Sequence, residues 1–504
     1  MERRHLLSDT PKEQQGNSRN EAMNKRLSCF VILLVGCNSE ELSEEKRVLP
    51  NVEQPEYPQG NGTKIVASHL LVGENPMDWV GTTIAANGDY NGDQKADILI
   101  GAMMNDEVSE GAGKIYLVSA ADLTSEVYDL SAAISFLPDL PGGCAGASVT
   151  FIDDMDSDGR DEILIGSPCN NKTYLFLAVN IMESNLLSSA DRIYRGQEAG
   201  DYLGWSSANL GDIDGDGRGD FILGADGADN QGVSGGNAFV VKDIGSASEQ
   251  PINIENVSTE LWGEMAGEKV GNAVAGNGDF DGDGLMDVIV GAYDSQEGGD
   301  DSGKIYLASG SEIQSFGIQH LAHFAFASIG SEHDRAGTSL GFAGDVNGDG
   351  LDDVLIGAPN DSFEDRRTGR VYVLFSGQSV PDYLHQASAT IYGLFAGDHS
   401  GFAVSGAGDY DADGYSDIVI GAPSLYDNFH AGAAYVFSGE EINAGGSLQI
   451  EDGTYILSGS ASGDRMGYAL AHGDVTGNGN DDVLVGAPGG DSGERGVVHV
   501  FLGN

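Results

Sequence analysis

Seven short stretches of this chain pack four or five carboxylate or carboxamide side chains into nine residues. The clearest reads Asp279-Phe-Asp281-Gly-Asp283-Gly-Leu285-Met-Asp287. Acidic groups that close repel one another unless a cation lies among them. Calcium suits such a site, because it takes about six to eight oxygens at roughly 2.3–2.6 Å in irregular geometry. Alternation puts the first, third and fifth side chains on one side of the turn, and glycine at the fourth and sixth places admits a sharp bend. The seventh residue offers its backbone carbonyl, so Leu285, Arg218 and Tyr415 are tolerated there. The ninth closes the site. This is not an EF-hand, which needs Glu at the twelfth place and helices on both sides; here the twelfth residue is Val290.

The copies differ in quality. Asp212, Asp214, Asp216 and Asp220 form a complete set, as do Asp279, Asp281, Asp283 and Asp287, and Asp409, Asp411, Asp413 and Asp417. Asp345, Asn347, Asp349 and Asp353 are nearly equivalent. Asp89, Asn91, Asp93 and Asp97 keep the ligands but have Gln94 where glycine is expected. Asp154, Asp156 and Asp158 end in Glu162, and Asp474, Thr476, Asn478 and Asp482 are degraded. The expectation is about five to six bound calcium ions.

The elements that position these loops follow from the repeat. The loops begin at Asp89, Asp154, Asp212, Asp279, Asp345, Asp409 and Asp474, a spacing near 65 residues that suits a four-stranded blade with its loops. Short apolar runs such as Ile98-Leu99-Ile100 and Val354-Leu355-Ile356 follow each loop and read as buried strands. A Gly-Ala-Pro or similar corner comes next, as at Gly357-Ala358-Pro359, then an aromatic strand such as Lys304-Ile305-Tyr306-Leu307. Another glycine, Gly81 in the first copy, precedes each loop. The last copy ends with its third strand, while Ile65 to Gly73 read as an orphan fourth strand. The expected fold is therefore all-β: a seven-bladed propeller over 62–504 whose N-terminal strand completes the last blade, which removes open sheet edges.

The anchoring glycine, acidic nonamer and Gly-Ala-Pro corner together resemble FG-GAP repeats, as in the integrin α-subunit propeller, over about residues 62–504. The aromatic before the glycine departs from that pattern, since Val80, Val270 and Ala336 stand there. The resemblance implies a ligand face opposite the calcium hairpins, carrying the loops Tyr293–Gly303, Asn360–Gly369 and Ser424–Gly432. Tyr293, Phe363, Arg366, Arg367, Tyr426, Phe429 and His430 are its candidate contacts. Arg218-Gly219-Asp220 spells the integrin-ligand tripeptide, but Asp220 is expected to be taken up as a metal ligand.

Acidic residues number 79 against 25 basic ones, a net charge of −54, which repels nucleic acid and anionic head groups. Lys25 and Arg26, the apolar run Leu27 to Val35, and Leu34-Val35-Gly36-Cys37 resemble a bacterial lipoprotein signal with Cys37 lipidated. Residues 1–22 then read as an upstream extension, 23–37 as the signal peptide and 38–61 as a flexible acidic tether. That places the chain in the bacterial cell envelope, at the outer membrane, held to lipid through its anchor only. With Cys29 removed, the remaining Cys144 and Cys169 bracket a hairpin whose ends meet, and a disulfide is expected in an oxidising compartment. No catalytic motif stands out. The leading reading is a non-enzymatic adhesion module for a protein or glycan ligand. The alternatives are a propeller enzyme acting on carbohydrate or lipid, and a structural part of an envelope assembly.

Overall fold

Ile98, Leu99 and Ile100 show why the repeat builds a ring. All three are fully buried in one strand, Asp97–Ala102, so successive side chains point to opposite faces. Ile98 and Ile100 pack with Leu484, Val498 and Val500 of the last blade, whereas Leu99 packs with Phe151, Ile163 and Phe176 of the second. A strand that is apolar on both faces needs a neighbour on each side, and the blades supply this to one another. Each such Ile or Leu contributes roughly 1.5–3 kcal/mol.

The computed structural model describes residues 62–503, apart from 182–183, 230–233, 243–249, 314–317, 322–325, 362–366, 425–430, 460, 462 and 491–493. Cys37, the signal peptide and the tether lie outside the described residues. Seven sheets follow the repeat. Blade one holds Thr83–Gly88, Asp97–Ala102, Lys114–Val118 and Ile134–Leu137, joined antiparallel in that order. The first strands line the axis: Thr83–Gly88 touches Val149–Ile152 on one side and Leu470–Gly473 on the other. They enclose an axial cavity of about 260 Å³.

Closure is more elaborate than the expected orphan strand. His69–Val72 pairs antiparallel with Val497–Phe501 and completes the seventh blade. Thr63–Ile65, just before it, pairs parallel with Tyr455–Ser458 of the sixth. This second pairing is one case of a general device. Between its third and fourth strands, a blade sends a short segment back to the fourth strand of the preceding blade. Ser184–Leu186 joins blade one, Ile252–Asn253 blade two, Ile318–His320 blade three, Gly446–Gln449 blade five and Val127–Asp129 blade seven, all parallel. Blade four receives a single bridge, Ile329 to Tyr383. Six of the seven sheets are thus five-stranded and mixed, with the outer edge covered, while blade four keeps four antiparallel strands and one bridge at its edge.

Cys144 and Cys169 are joined with their Cα atoms 5.6 Å apart, across the hairpin that opens blade two.

Candidate metal centres

Each acidic loop links the first and second strands of its blade, and the backbone fixes its shape. The leading aspartate turns inward and accepts the N–H groups of the residues after it. Asp212 takes Gly215 N–H at 2.7 Å, Asp216 N–H at 3.0 Å and Gly217 N–H at 2.8 Å. Asp345 repeats this with Gly348, Asp349 and Gly350, and degraded Asp474 still takes Asn478 and Gly479. The bend needs left-handed backbone at the fourth and sixth places. Gly282 and Gly284 supply it at φ 76° and 86°. Gln94, Ser157 and Ala412 adopt it at φ 67°, 67° and 60° without being glycine.

The ninth residue is the base of the site. Asp97, Glu162, Asp220, Asp287, Asp353, Asp417 and Asp482 are all at most 1% exposed. Two backbone groups usually hold it. Asp287 accepts Phe280 N–H at 2.8 Å and, from the end of the third strand, Gly310 N–H at 3.0 Å. Burial pushes the carboxyl of Asp287 and of Asp353 up to about 6, of Asp97 and of Asp417 to about 7, and of Glu162 and of Asp220 to about 8. In the metal-free chain Glu162 and Asp220 therefore stay mostly protonated at pH 7, Asp97 and Asp417 are divided between the two forms, and Asp287 and Asp353 protonate only in mild acid; a cation among them would favour the ionised form.

Four loops bring acidic oxygens within 4.8 Å of one another: Asp154, Asp156, Asp158 and Glu162; Asp212, Asp214 and Asp216; Asp279, Asp281 and Asp287; Asp409, Asp411 and Asp417. The donor set fits a hard divalent cation, and orphaned atoms show where it is wanted. Glu162 Oε1, Asp220 Oδ1 and Asp411 Oδ1 are buried without a hydrogen-bond partner among the described residues. In loops one and five the third residue is Asn, and its amide fills the space. Asn91 Nδ2 donates to Asp97 at 3.1 Å and Asn347 Nδ2 to Asp353 at 3.1 Å. A turned carboxamide would present its oxygen instead. At its four side-chain ligand positions loop seven keeps only Asp474 and Asp482 as acids, with Thr476 Oγ1 buried and without a hydrogen-bond partner among the described residues.

The loops are also stitched to one another. Asp89 N–H donates to Asp161 Oδ2 at 2.7 Å, and Asp279 N–H to Asp352 Oδ2 at 2.8 Å. Asp161 and Asp352 sit at the eighth place of the following blade's loop. The sequence reading assigned no role to that place.

At the other end of the blades, buried basic residues pin the corners. Lys304 Nζ lies 2.6 Å from Glu264 and 2.7 Å from Glu297, over the Tyr306 ring. Lys114 repeats this with Glu74, Glu107 and Tyr116. Of the candidate ligand contacts, Tyr293 is 1% exposed. It stands where other blades have the corner proline and packs beneath the Arg335 guanidinium, 5.5 Å from its ring centre, so it is not a surface contact. Arg367 is exposed. Phe363, Arg366, Tyr426, Phe429 and His430 lie outside the described residues.

The FG-GAP repeat profile matches residues 81–118, 271–307, 336–374, 400–437 and 466–501, in blades one and four to seven. The chain is an FG-GAP-repeat propeller of integrin-α-like fold. The propeller is 33% identical over 236 residues to integrin alpha-PS2 of Drosophila melanogaster, covering 44% of this chain and 15% of that protein. It is 30% identical over 271 residues to integrin alpha pat-2 of Caenorhabditis elegans, covering 50% of this chain and 20% of that protein. A phosphatidylinositol-glycan-specific phospholipase D of Bos taurus is 30% identical over 182 residues, 32% of this chain and 20% of that enzyme. The FG-GAP propeller thus spans about a fifth or less of the length of these relatives.

Proposed function

We propose that this propeller is a calcium-dependent, non-enzymatic adhesion module. Calcium at the hairpins stiffens one end of the blades, and a protein or glycan docks on the opposite face. The observation that carries the reading is the buried carboxylate at the base of each hairpin, left with an orphaned oxygen at Glu162 and joined by the orphaned Asp411 oxygen in loop six. The first, third, fifth and ninth side chains and the seventh carbonyl would hold the ion. Calcium would supply fixed positive charge there, not chemistry on a substrate. The similarity to integrin α subunits favours ligand binding over catalysis.

We place the chain on a bacterial envelope membrane, at the outer membrane, through a lipid on Cys37. The basic, apolar and Leu34-Val35-Gly36-Cys37 sequence supports this. Incorporation of a labelled fatty acid that persists in Cys37→Ser would contradict it.

The binding reading is tested on protein and glycan arrays, in calcium and in chelator. Capture that needs calcium and weakens with Arg367→Ala is expected. Capture indifferent to both would place the ligand elsewhere.

A further inference from the structure

The acidic nonamer does not hold its fifth carboxylate alone. Within the loop, one oxygen accepts the N–H two residues on: Asp283 from Leu285 at 2.9 Å, Asp349 from Leu351 at 3.0 Å and Asp413 from Tyr415 at 2.9 Å. A serine from outside the nonamer adds a second hold. Ser438 Oγ donates to Asp413 Oδ2 at 2.8 Å, and Ser309 Oγ reaches Asp283 Oδ2 at 3.4 Å. Ser376 Oγ lies 3.1 Å from Asp349 and 3.0 Å from Asp353, so one hydroxyl spans the fifth and ninth residues of loop five. The Ser376 N–H adds a bond to Asp353 at 2.8 Å.

Strand register brings serine and loop together. The third strand runs antiparallel to the second, with Val288 opposite Ala308 and Ile418 opposite Phe437, so the residue after it comes level with the ninth residue of the loop. Ser309 and Ser438 stand at that place, and Ser376 comes one residue later, after Phe375. Blades two, three and seven have Leu177, Lys242 and Leu502 there, none with a hydroxyl. The serine is therefore separate from the acidic motif: loop three has the same four acids as loop six, and its Asp216 accepts Arg218 N–H at 3.0 Å, yet no serine follows. A carboxylate offers about four lone-pair sites, so an oxygen that accepts a hydroxyl still has one for a metal. Groups that orient a metal's ligands from behind typically change its affinity by about 10–100-fold.

We propose that Ser309, Ser376 and Ser438 are positioning residues for the calcium sites of loops four, five and six: each holds the fifth carboxylate in place before the ion arrives, and so lowers the calcium its loop needs. This rests on the calcium reading of the loops. The serines act through the ligand carboxylates, whose ordering then costs less on binding. Ser438 also caps the short helix Gly439–Asn443 through Glu440 N–H at 3.3 Å, whereas a turn and no helix follows Ser376. Ser376, 1% exposed, is thus the probe with the fewest other duties.

The test uses the full chain with calcium alone as the probe, and reads amide exchange in the peptide over each loop against free calcium. Ser376→Ala should raise the calcium midpoint of loop five about tenfold and leave loop three, which has no serine, unmoved. Ser438→Ala should do the same at loop six, and Ser438→Thr, which keeps the hydroxyl, should restore it. Unchanged midpoints at loops five and six in the two alanine variants would overturn the proposal. So would an equal shift at every loop, which would make the serines props of the fold rather than of their own sites. If no loop of the parent gains protection with calcium, the calcium reading falls and this proposal with it; loops that respond to calcium but ignore both serines remove this proposal alone. Either alanine variant decides if the other does not fold.

Discussion

A Cβ on Gly486 would collide with the backbone carbonyl oxygen of Gly81. Gly486 is the penultimate residue of the second strand of the last blade, and Gly81 lies just before the first strand of blade one, at φ 85°. The same glycine-on-carbonyl contact recurs between neighbouring blades, as at Gly224 and Gly271. The two glycines of each repeat are thus halves of one inter-blade joint, and Gly486–Gly81 is the joint that closes the ring. Overpacking typically costs about 1–3 kcal/mol. Gly486→Ala should lower unfolding stability by that much, with the urea midpoint as readout. An unchanged midpoint would mean that the joint yields without strain.

Ala412 holds left-handed backbone, at φ 60°, where every other loop but the second uses glycine. That conformation costs an L-residue roughly 1–2 kcal/mol, against roughly 0.5–1 kcal/mol for the added freedom of glycine in the unfolded chain. Ala412→Gly should therefore stabilise the protein by a few tenths to about 1 kcal/mol and tighten calcium binding at loop six. Titration calorimetry showing weaker binding would count against the loop geometry.

Asp334 and Asp361 are both buried, and Asp361 is bound by Arg370 at 2.9 Å. Burial and the neighbouring Asp361 carboxylate push Asp334 up to about 7. Blade one has Asn105 donating to Asp78 at 2.8 Å in the matching arrangement. Asp334 holds its proton more tightly folded than unfolded, where it titrates near ~3.9. Its contribution is therefore complete at low pH and is lost as pH rises through about 7. Asp334→Asn should keep the contact without the titration. Midpoints of parent and variant should agree at or below about pH 4, diverge as pH rises toward about 7 and differ most above it, the variant melting higher. Parallel profiles would contradict the paired-carboxyl account.

Lys304 is 2% exposed between Glu264 and Glu297, whose side chains are 37% and 43% exposed. A fully buried pair broken on one side costs about 3–5 kcal/mol, but these acids can turn to water. Lys304→Met should cost less, about 1–2 kcal/mol, and loosen Tyr293–Gly303, seen as faster amide exchange there. Exchange unchanged in that loop would show that the ion pair does not pin it.

Strand order, blade count and the loops were readable in the sequence because they repeat in phase, and His69–Val72 was readable because Leu71-Val72-Gly73 matches Leu457-Ser458-Gly459. The parallel edge strands were not. Ile252–Asn253 is two residues long, too short to show a period, and its partner belongs to the preceding blade. Tyr293 looked like a loop aromatic because it is no proline, although it stands at the proline's place in the corner. Ser157 and Ala412 carried the same signal as Gln94: a non-glycine at a glycine position.

The central claim is that the acidic hairpins are calcium sites that hold the blades in shape. Thermal unfolding with chelator and with millimolar calcium, alongside a count of bound ions, tests it most directly. The account predicts a large calcium-dependent rise in midpoint with about five to six ions per chain. No shift and no bound metal would show the hairpins to be solvated acidic turns and would contradict it.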